Sequence, residues 1–236
     1  MQGLLISNLN KNIKEKEILK NINISFENGK IYALVGSNGA GKTTVFKCIM
    51  GLTAYIGNID LKTVAKDSYL RNIGTLVDFS ENQEKFTIKE IFEEHFIYMN
   101  MDVKNLDNYI NSLLEKVGLS IGMDTKISSL SLGMKQKLNI ALAISHKPKV
   151  LLLDEPFNGL DRSGVKILKN IIIDFKNNDN LVLVSSHTFK ELDDFVDEVI
   201  IIEQGRIIGS QNIDNFKNLG IKNIDDYYEK VVNSEY

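Results

Sequence analysis

The chain reads as an α/β protein with a largely parallel sheet, and three observations predict this. Short apolar runs, many of them rich in β-branched residues, recur at 22–26, 31–35, 73–77, 150–153, 181–184 and 199–202. Helical patterns separate them, as the crossover connections between parallel strands require. The runs are nearly unbroken in apolar character, which predicts central strands buried on both faces.

In chain order, the 31–35 run leads into Gly36-Ser37-Asn38-Gly39-Ala40-Gly41-Lys42-Thr43, which matches the phosphate-loop pattern at every fixed position. Its glycines let the backbone curl so that successive N–H groups face one phosphate, and a helix starting near Lys42 adds its positive dipole end. In such a loop the lysine reaches the terminal phosphates and the Thr43 hydroxyl ligates a magnesium ion. From about Glu81 to His146 the pattern turns helical, with Ile91, Phe92 and Phe96, and then Leu113, Leu114 and Val117, at helical spacing. This stretch reads as an inserted helical subdomain.

Pro148 and Pro156 bracket the apolar run at 150–153 and limit its strand at both ends. The run closes on Asp154-Glu155, an acidic pair at the carboxyl edge of the sheet. Because successive strand residues face opposite ways, Asp154 is directed to the metal and Glu155 toward an attacking water as general base. Further on, the run at 199–202, then Glu203-Gln204-Gly205-Arg206, then Ile207-Ile208 reads as a hairpin turning at Gly205.

Bulk properties exclude several classes. The chain has 236 residues and a formal charge of −3 from well-mixed acids and bases, so no basic field collects nucleic acid and no nucleic-acid partner is expected. A lone cysteine, Cys48, rules out an internal disulfide framework and suits a reducing cytoplasm. His95, His146 and His187 do not have zinc-motif spacing. The N-terminus lacks the pattern of a signal peptide, and no apolar run approaches the roughly 20 residues of a membrane helix. Membrane association is therefore expected only through a partner.

The segment Leu130-Ser131-Leu132-Gly133-Met134-Lys135-Gln136 resembles the signature of ABC transporter ATP-binding subunits, whose usual form is Leu-Ser-Gly-Gly-Gln. Asn158-Gly159-Leu160-Asp161 resembles the family's D-loop, and Ser185-Ser186-His187 its switch histidine. The order and spacing of these segments extend the resemblance over nearly the whole chain. It implies a P-loop NTPase core: a RecA-like, mostly parallel sheet with an N-terminal antiparallel β part, plus an inserted α-helical subdomain. Residues 1–78 and 147–236 would form the ATP-binding core, with a C-terminal hairpin and short helical tail. Residues 79–146 would be the helical subdomain carrying the signature.

The resemblance further implies binding of ATP and Mg2+ by Ser37, Asn38, Gly39, Ala40, Gly41, Lys42, Thr43 and Thr44. Thr43 and Asp154 would hold the metal, and Glu155 and His187 would serve hydrolysis. It implies a dimer, of two copies or of two related subunits, in which Ser131 and Gly133 close over the partner's ATP. It also implies a membrane permease subunit as partner, through which this chain would lie peripherally on the cytoplasmic side of the cell membrane. A non-transport ABC ATPase, or a hydrolysis-poor nucleotide-binding regulator, is the alternative.

Departures from the family pattern narrow the reading. Leu132 and Met134 replace the signature's first glycine and its glutamine, and the resulting form is similar to the branch of bacitracin resistance and lantibiotic immunity, which exports antimicrobial peptides. Asp78 stands where the Q-loop glutamine is expected, and an acid there is also similar to that branch; it is a candidate for both metal binding and catalysis. Ile13 takes the place of the aromatic residue that stacks on adenine. Phe79, Phe86, Phe92, Phe96, Tyr98 and Met99 are candidates to dock the permease.

Overall fold

The computed structural model describes residues 2–62, 69–76 and 78–235. In chain order its strands are β1 (Gln2–Ile13), β2 (Lys16–Glu27), β3 (Ile31–Val35), β4 (Ile56–Leu61), β5 (Ile73–Thr75), β6 (Val150–Asp154), β7 (Leu181–Ser186), β8 (Glu198–Glu203) and β9 (Arg206–Asn212). The α-helices are α1 (Lys42–Ile49), α2 (Ile88–Met99), α3 (Leu106–Lys116), α4 (Leu132–Ser145), α5 (Arg162–Asn177) and α6 (Ile224–Glu235).

Among the described residues two sheets form. The first is antiparallel with order β2-β1-β4, and the second has order β5-β6-β7-β3-β8-β9. All pairings in the second are parallel except that of β8 with β9. The mixed architecture agrees with the α/β expectation, including the antiparallel N-terminal part. The hairpin also stands where it was expected. Gln204 and Gly205 both take positive φ, 48° and 78°, the conformation a two-residue hairpin turn needs to match strand twist.

Side-chain alternation assigns each strand's two faces. Ile31, Ala33 and Val35 of β3 join Leu151, Leu153, Val182 and Val184 in a core covered by α2 to α6. Tyr32 and Leu34 join Leu152, Leu183, Ile200 and Ile202 in a second core shared with α1 and the N-terminal sheet. Both faces are dry, which is why these runs carry no polar alternation. Cys48 is buried in the second core, where it fills space, and burial raises its thiol pKa.

The helices begin where local chemistry directs. Thr87 caps α2 in a reciprocal box with Glu90, and Ile88, Ile91, Phe92 and Phe96 form the buried face. Ser131 caps α4 by accepting from Met134 N at 3.3 Å.

Two sequence expectations are corrected. The run at 73–77 makes a strand only to Thr75, where β5, an edge strand, pairs among the described residues with the first three residues of β6; Val77 lies outside the described residues. Of the six candidates for a docking surface, Phe92 and Phe96 are core residues, 0% and 4% exposed. Phe79, Phe86 and Met99 are half-buried and Tyr98 is exposed.

Candidate functional site

The carboxyl ends of β3, β6, β7 and β8 meet at one edge of the sheet, and the phosphate loop leaves from β3 there. The loop is shaped by close approach from behind. A Cβ on Gly36 would lie 2.1 Å from the Ile202 carbonyl oxygen, so no side chain fits. Gly39 and Gly41 hold φ of 82° and 118°, conformations that other residues rarely adopt. Gly205 N donates to Ala40 O at 2.9 Å and ties the β8–β9 turn to the loop.

Lys42 opens α1 and is 7% exposed; its Nζ donates to Gly36 O at 2.7 Å and Ser37 O at 3.1 Å. Burial lowers its pKa, opposed by the charges of Glu155, Asp154 and Glu203. The loop lysine therefore senses both members of the acidic pair. Ser37, Asn38, Gly39 and Thr43 are exposed, Thr44 is half-buried and Ala40 is buried.

Asp154 ends β6 in register with Ser185 of β7, whose hydroxyl donates to Asp154 Oδ1. The chain then turns sharply, with Glu155 at φ 48°, a left-handed conformation unusual for a non-glycine residue. Glu155 N donates to the backbone oxygen and the hydroxyl of Ser185, both at 3.2 Å. The turn carries the Glu155 carboxylate to His187, whose Nδ1 lies 2.9 Å from Oε1 and whose backbone N donates to Oε2 at 3.4 Å. The structure thus brings together Lys42, Asp154, Glu155 and His187.

Other candidates lie elsewhere. Gly133 lies against the D-loop segment of its own chain, where a Cβ on it would meet Gly159 O at 2.6 Å, and Gln136 Nε2 donates to Pro156 O at 2.9 Å. Among the described residues no hydrogen bond or ion pair links Ser131 or Gly133 to residues 36–44. Ile13 sits at the tip of the β1–β2 hairpin, 51% exposed. Asp78 is exposed and lines a cavity of about 140 Å3 with Thr75, Phe79, Gln83, His95 and His146.

Sequence reasoning gave three groups no role in the site. Ser185, fully buried, positions both Asp154 and Glu155, and only its register with Asp154 could have signalled it. Glu203 accepts from Ser37 N and Ser37 Oγ, each at 2.6 Å. His95 and His146 come together in the fold, with Nε2 and Nδ1 3.1 Å apart. Among the described residues no group of three or more His, Cys, Asp or Glu forms a metal site.

Mg2+ takes hard oxygen ligands, keeps several waters and needs only one or two protein oxygens beside phosphate. Thr43, exposed at the start of α1, and Asp154, at the end of β6, carry oxygens of that kind, so the residues present fit such a group.

Comparison with known proteins bears on the family and the fold. The sequence profile of the ABC transporter family matches residues 19–158. A lantibiotic transport ATP-binding protein of Streptococcus pyogenes is 35% identical over 223 residues, covering 92% of this chain and 93% of that one. A bacitracin transport ATP-binding protein of Bacillus licheniformis is 33% identical over 217 residues, covering 89% and 70%. The fold is shared with a solved ATP-binding subunit of an ABC transporter, with a TM-score of 0.86 at 24% identity over 98% of this chain and 99% of the other. An ATP-binding cassette solved in its ADP conformation gives 0.75 at 21% identity over 96% and 98%.

Proposed function

We propose that this chain, which belongs to the ABC transporter family of nucleotide-binding, ATP-hydrolysing subunits, dimerises around ATP and Mg2+ to drive a separate membrane permease in peptide export. The observation that carries the reading is the joining of Glu155 to His187 beside a complete phosphate loop.

In this reading the loop N–H groups, the α1 dipole and Lys42 bind the β- and γ-phosphates. Thr43 and Asp154 hold Mg2+, which when bound neutralises charge developing on the phosphate oxygens. Glu155 takes the proton of the attacking water at a carboxylate oxygen while His187 holds that carboxylate in place and contacts the terminal phosphate. Asp78, which lines a different cavity within the single chain, is assigned to metal binding and catalysis by its Q-loop position, and Ile13 packs on the base.

Ser131 is exposed at the start of α4, where its hydroxyl and the helix N-terminus suit a phosphate presented by a second copy. The exposed placement of Ser131 at a helix start supports dimerisation, as the family's signature implies. Residues 79–146 are assigned as the helical subdomain and 1–78 with 147–236 as the core. The antiparallel bridge of Thr87 with Lys126 and the Glu84–Lys135 ion pair tie the subdomain to itself.

No helix among the described residues is long and apolar enough to cross a membrane. Peripheral attachment to the cytoplasmic face through the permease is accordingly part of the proposal. Peptide export rests on the signature form at 131–136 and on the two relatives named for lantibiotic and bacitracin transport. The test is Mg2+-dependent ATP hydrolysis by the purified chain and by Glu155→Gln, with size-exclusion chromatography in ATP. Turnover by wild type, with an inactive variant trapped as an ATP-dependent dimer, is expected; a chain that neither hydrolyses nor dimerises with its permease present overturns the reading.

A further inference from the structure

The carboxylate of Glu203 lies beside the phosphate loop because β8 runs parallel to β3, with Ile201 opposite Val35. Its Oε1 accepts from Ser37 N at 2.6 Å and its Oε2 from Ser37 Oγ at 2.6 Å. On the other side, the Tyr228 hydroxyl of α6 donates to Oε1 at 2.6 Å. The Tyr228 ring also rests on Phe189, with centroids 5.2 Å apart and planes at 56°. Phe189 is buried two residues after His187. One side chain of the C-terminal helix therefore touches supports of both halves of the site.

We propose that Tyr228 is a positioning residue. Its hydroxyl holds the phosphate loop through Glu203 and Ser37, and its ring holds the switch-histidine turn through Phe189. The inference rests on the ATPase reading above and adds the C-terminal helix to it.

Helix α6 is seated firmly enough for this. Ile224 N donates to Asp193 Oδ1 at 2.8 Å, and Tyr227 stacks near Phe216 at 5.3 Å. A Cβ on Gly209 of β9 would lie 2.9 Å from the Tyr227 hydroxyl and 3.1 Å from Val231, so helix and strand are in close approach. The Ser37 N–H is fixed on a carboxylate and the Ala40 N–H on Ser37 O, at 3.1 Å, so the loop is held in one curl. A loop already held in shape loses less freedom on binding. Burial works to raise the Glu203 pKa, but the bonds from Ser37 and Tyr228 outweigh it and hold the carboxyl below its ordinary range. Glu203 thus stays ionised as an acceptor for both.

The experiment compares kcat and KM for Mg2+-ATP, together with Tm, in the full-length chain. The proteins are wild type, Tyr228→Phe, Tyr228→Leu, Glu203→Gln and the Tyr228→Phe/Glu203→Gln double variant. Tyr228→Phe keeps the ring and loses the hydroxyl, so KM is expected to rise about fivefold while kcat stays within about twofold. Tyr228→Leu should lower kcat in addition, by about fivefold. The double variant should show a KM no higher than that of Glu203→Gln alone, because both changes cut the same chain of bonds. KM values of Tyr228→Phe and Glu203→Gln within twofold of wild type, or additive effects in the double variant, overturn the proposal. So does a loss of kcat in parallel with Tm without the KM split. Wild type that turns over no ATP removes the ATPase reading and this inference with it, a result distinct from active wild type with indifferent variants.

Discussion

A carboxylate that is to take a proton from water must be held still without being neutralised, and the left-handed turn at Glu155 does this with two bonds to Ser185 at its N–H and an imidazole at its head. Glu155→Gln removes the base and keeps the shape, so phosphate release should fall at least about 100-fold while nucleotide binding persists. A steady-state phosphate assay beside a nucleotide-binding titration checks this. Gly36 is constrained by space, since a Cβ would meet the Ile202 carbonyl at 2.1 Å. Gly36→Ala should push the loop off β8 and lower both Tm and nucleotide affinity, as differential scanning fluorimetry with and without Mg2+-ATP would show. The glycines, Lys42 and the acidic pair were legible in the sequence because each is a fixed position in a local motif. Ser185 and Glu203 were not, because their roles come from register between strands distant in sequence, which no local pattern reveals.

At the scale of elements, the strands buried on both faces were plain from their unbroken apolar runs. Strand β1 was not, since Asn8, Asn10 and Lys11 interrupt it and its register against β2 slips at several points. Strand β5, at the edge of its sheet among the described residues, proved shorter than its apolar run. The junction of α2, α4 and β5 holds a half-buried contact that spacing hid: His95 faces His146 at 3.1 Å, and His146 Nε2 lies 3.1 Å from Ile73 O. The carbonyl accepts, so His146 is protonated at Nε2 and bare at Nδ1, where it accepts from His95. Burial, then the charge of His146, lowers the His95 pKa from 6.5 to about 4, and burial lowers that of His146. The folded chain thus keeps His95 neutral while the unfolded chain protonates below pH 6.5. Its contribution is full above pH 6.5 and is lost as pH falls toward 4, by up to about 3 kcal/mol. Urea unfolding of wild type and His95→Gln across that window should show a shallower decline for the variant.

At the scale of the whole molecule, α2, α3 and α4 stand on one face of the central sheet and α1 with the N-terminal sheet on the other. This layering follows from the alternation of helical and strand patterns, and the family resemblance supplied the assembly that a single chain leaves implicit. If the permease docks beside Asp78, then Phe79→Asp and Phe86→Asp, both at half-buried positions before α2, should abolish copurification with it while ATP binding by the isolated chain survives. Pull-down of the permease by both variants at wild-type yield would refute that docking site. The place of β3 in the middle of its sheet has a consequence for synthesis. Both of its neighbours, β7 and β8, are translated after more than half the chain has followed it. A nascent chain that has emerged only as far as β6 carries every residue of the phosphate loop but neither strand that flanks it. Nucleotide therefore cannot rescue a partly made subunit on the ribosome. The loop becomes competent only when β7 and β8 have taken their places on either side of β3, so ligand capture reports that both strands have been made and inserted.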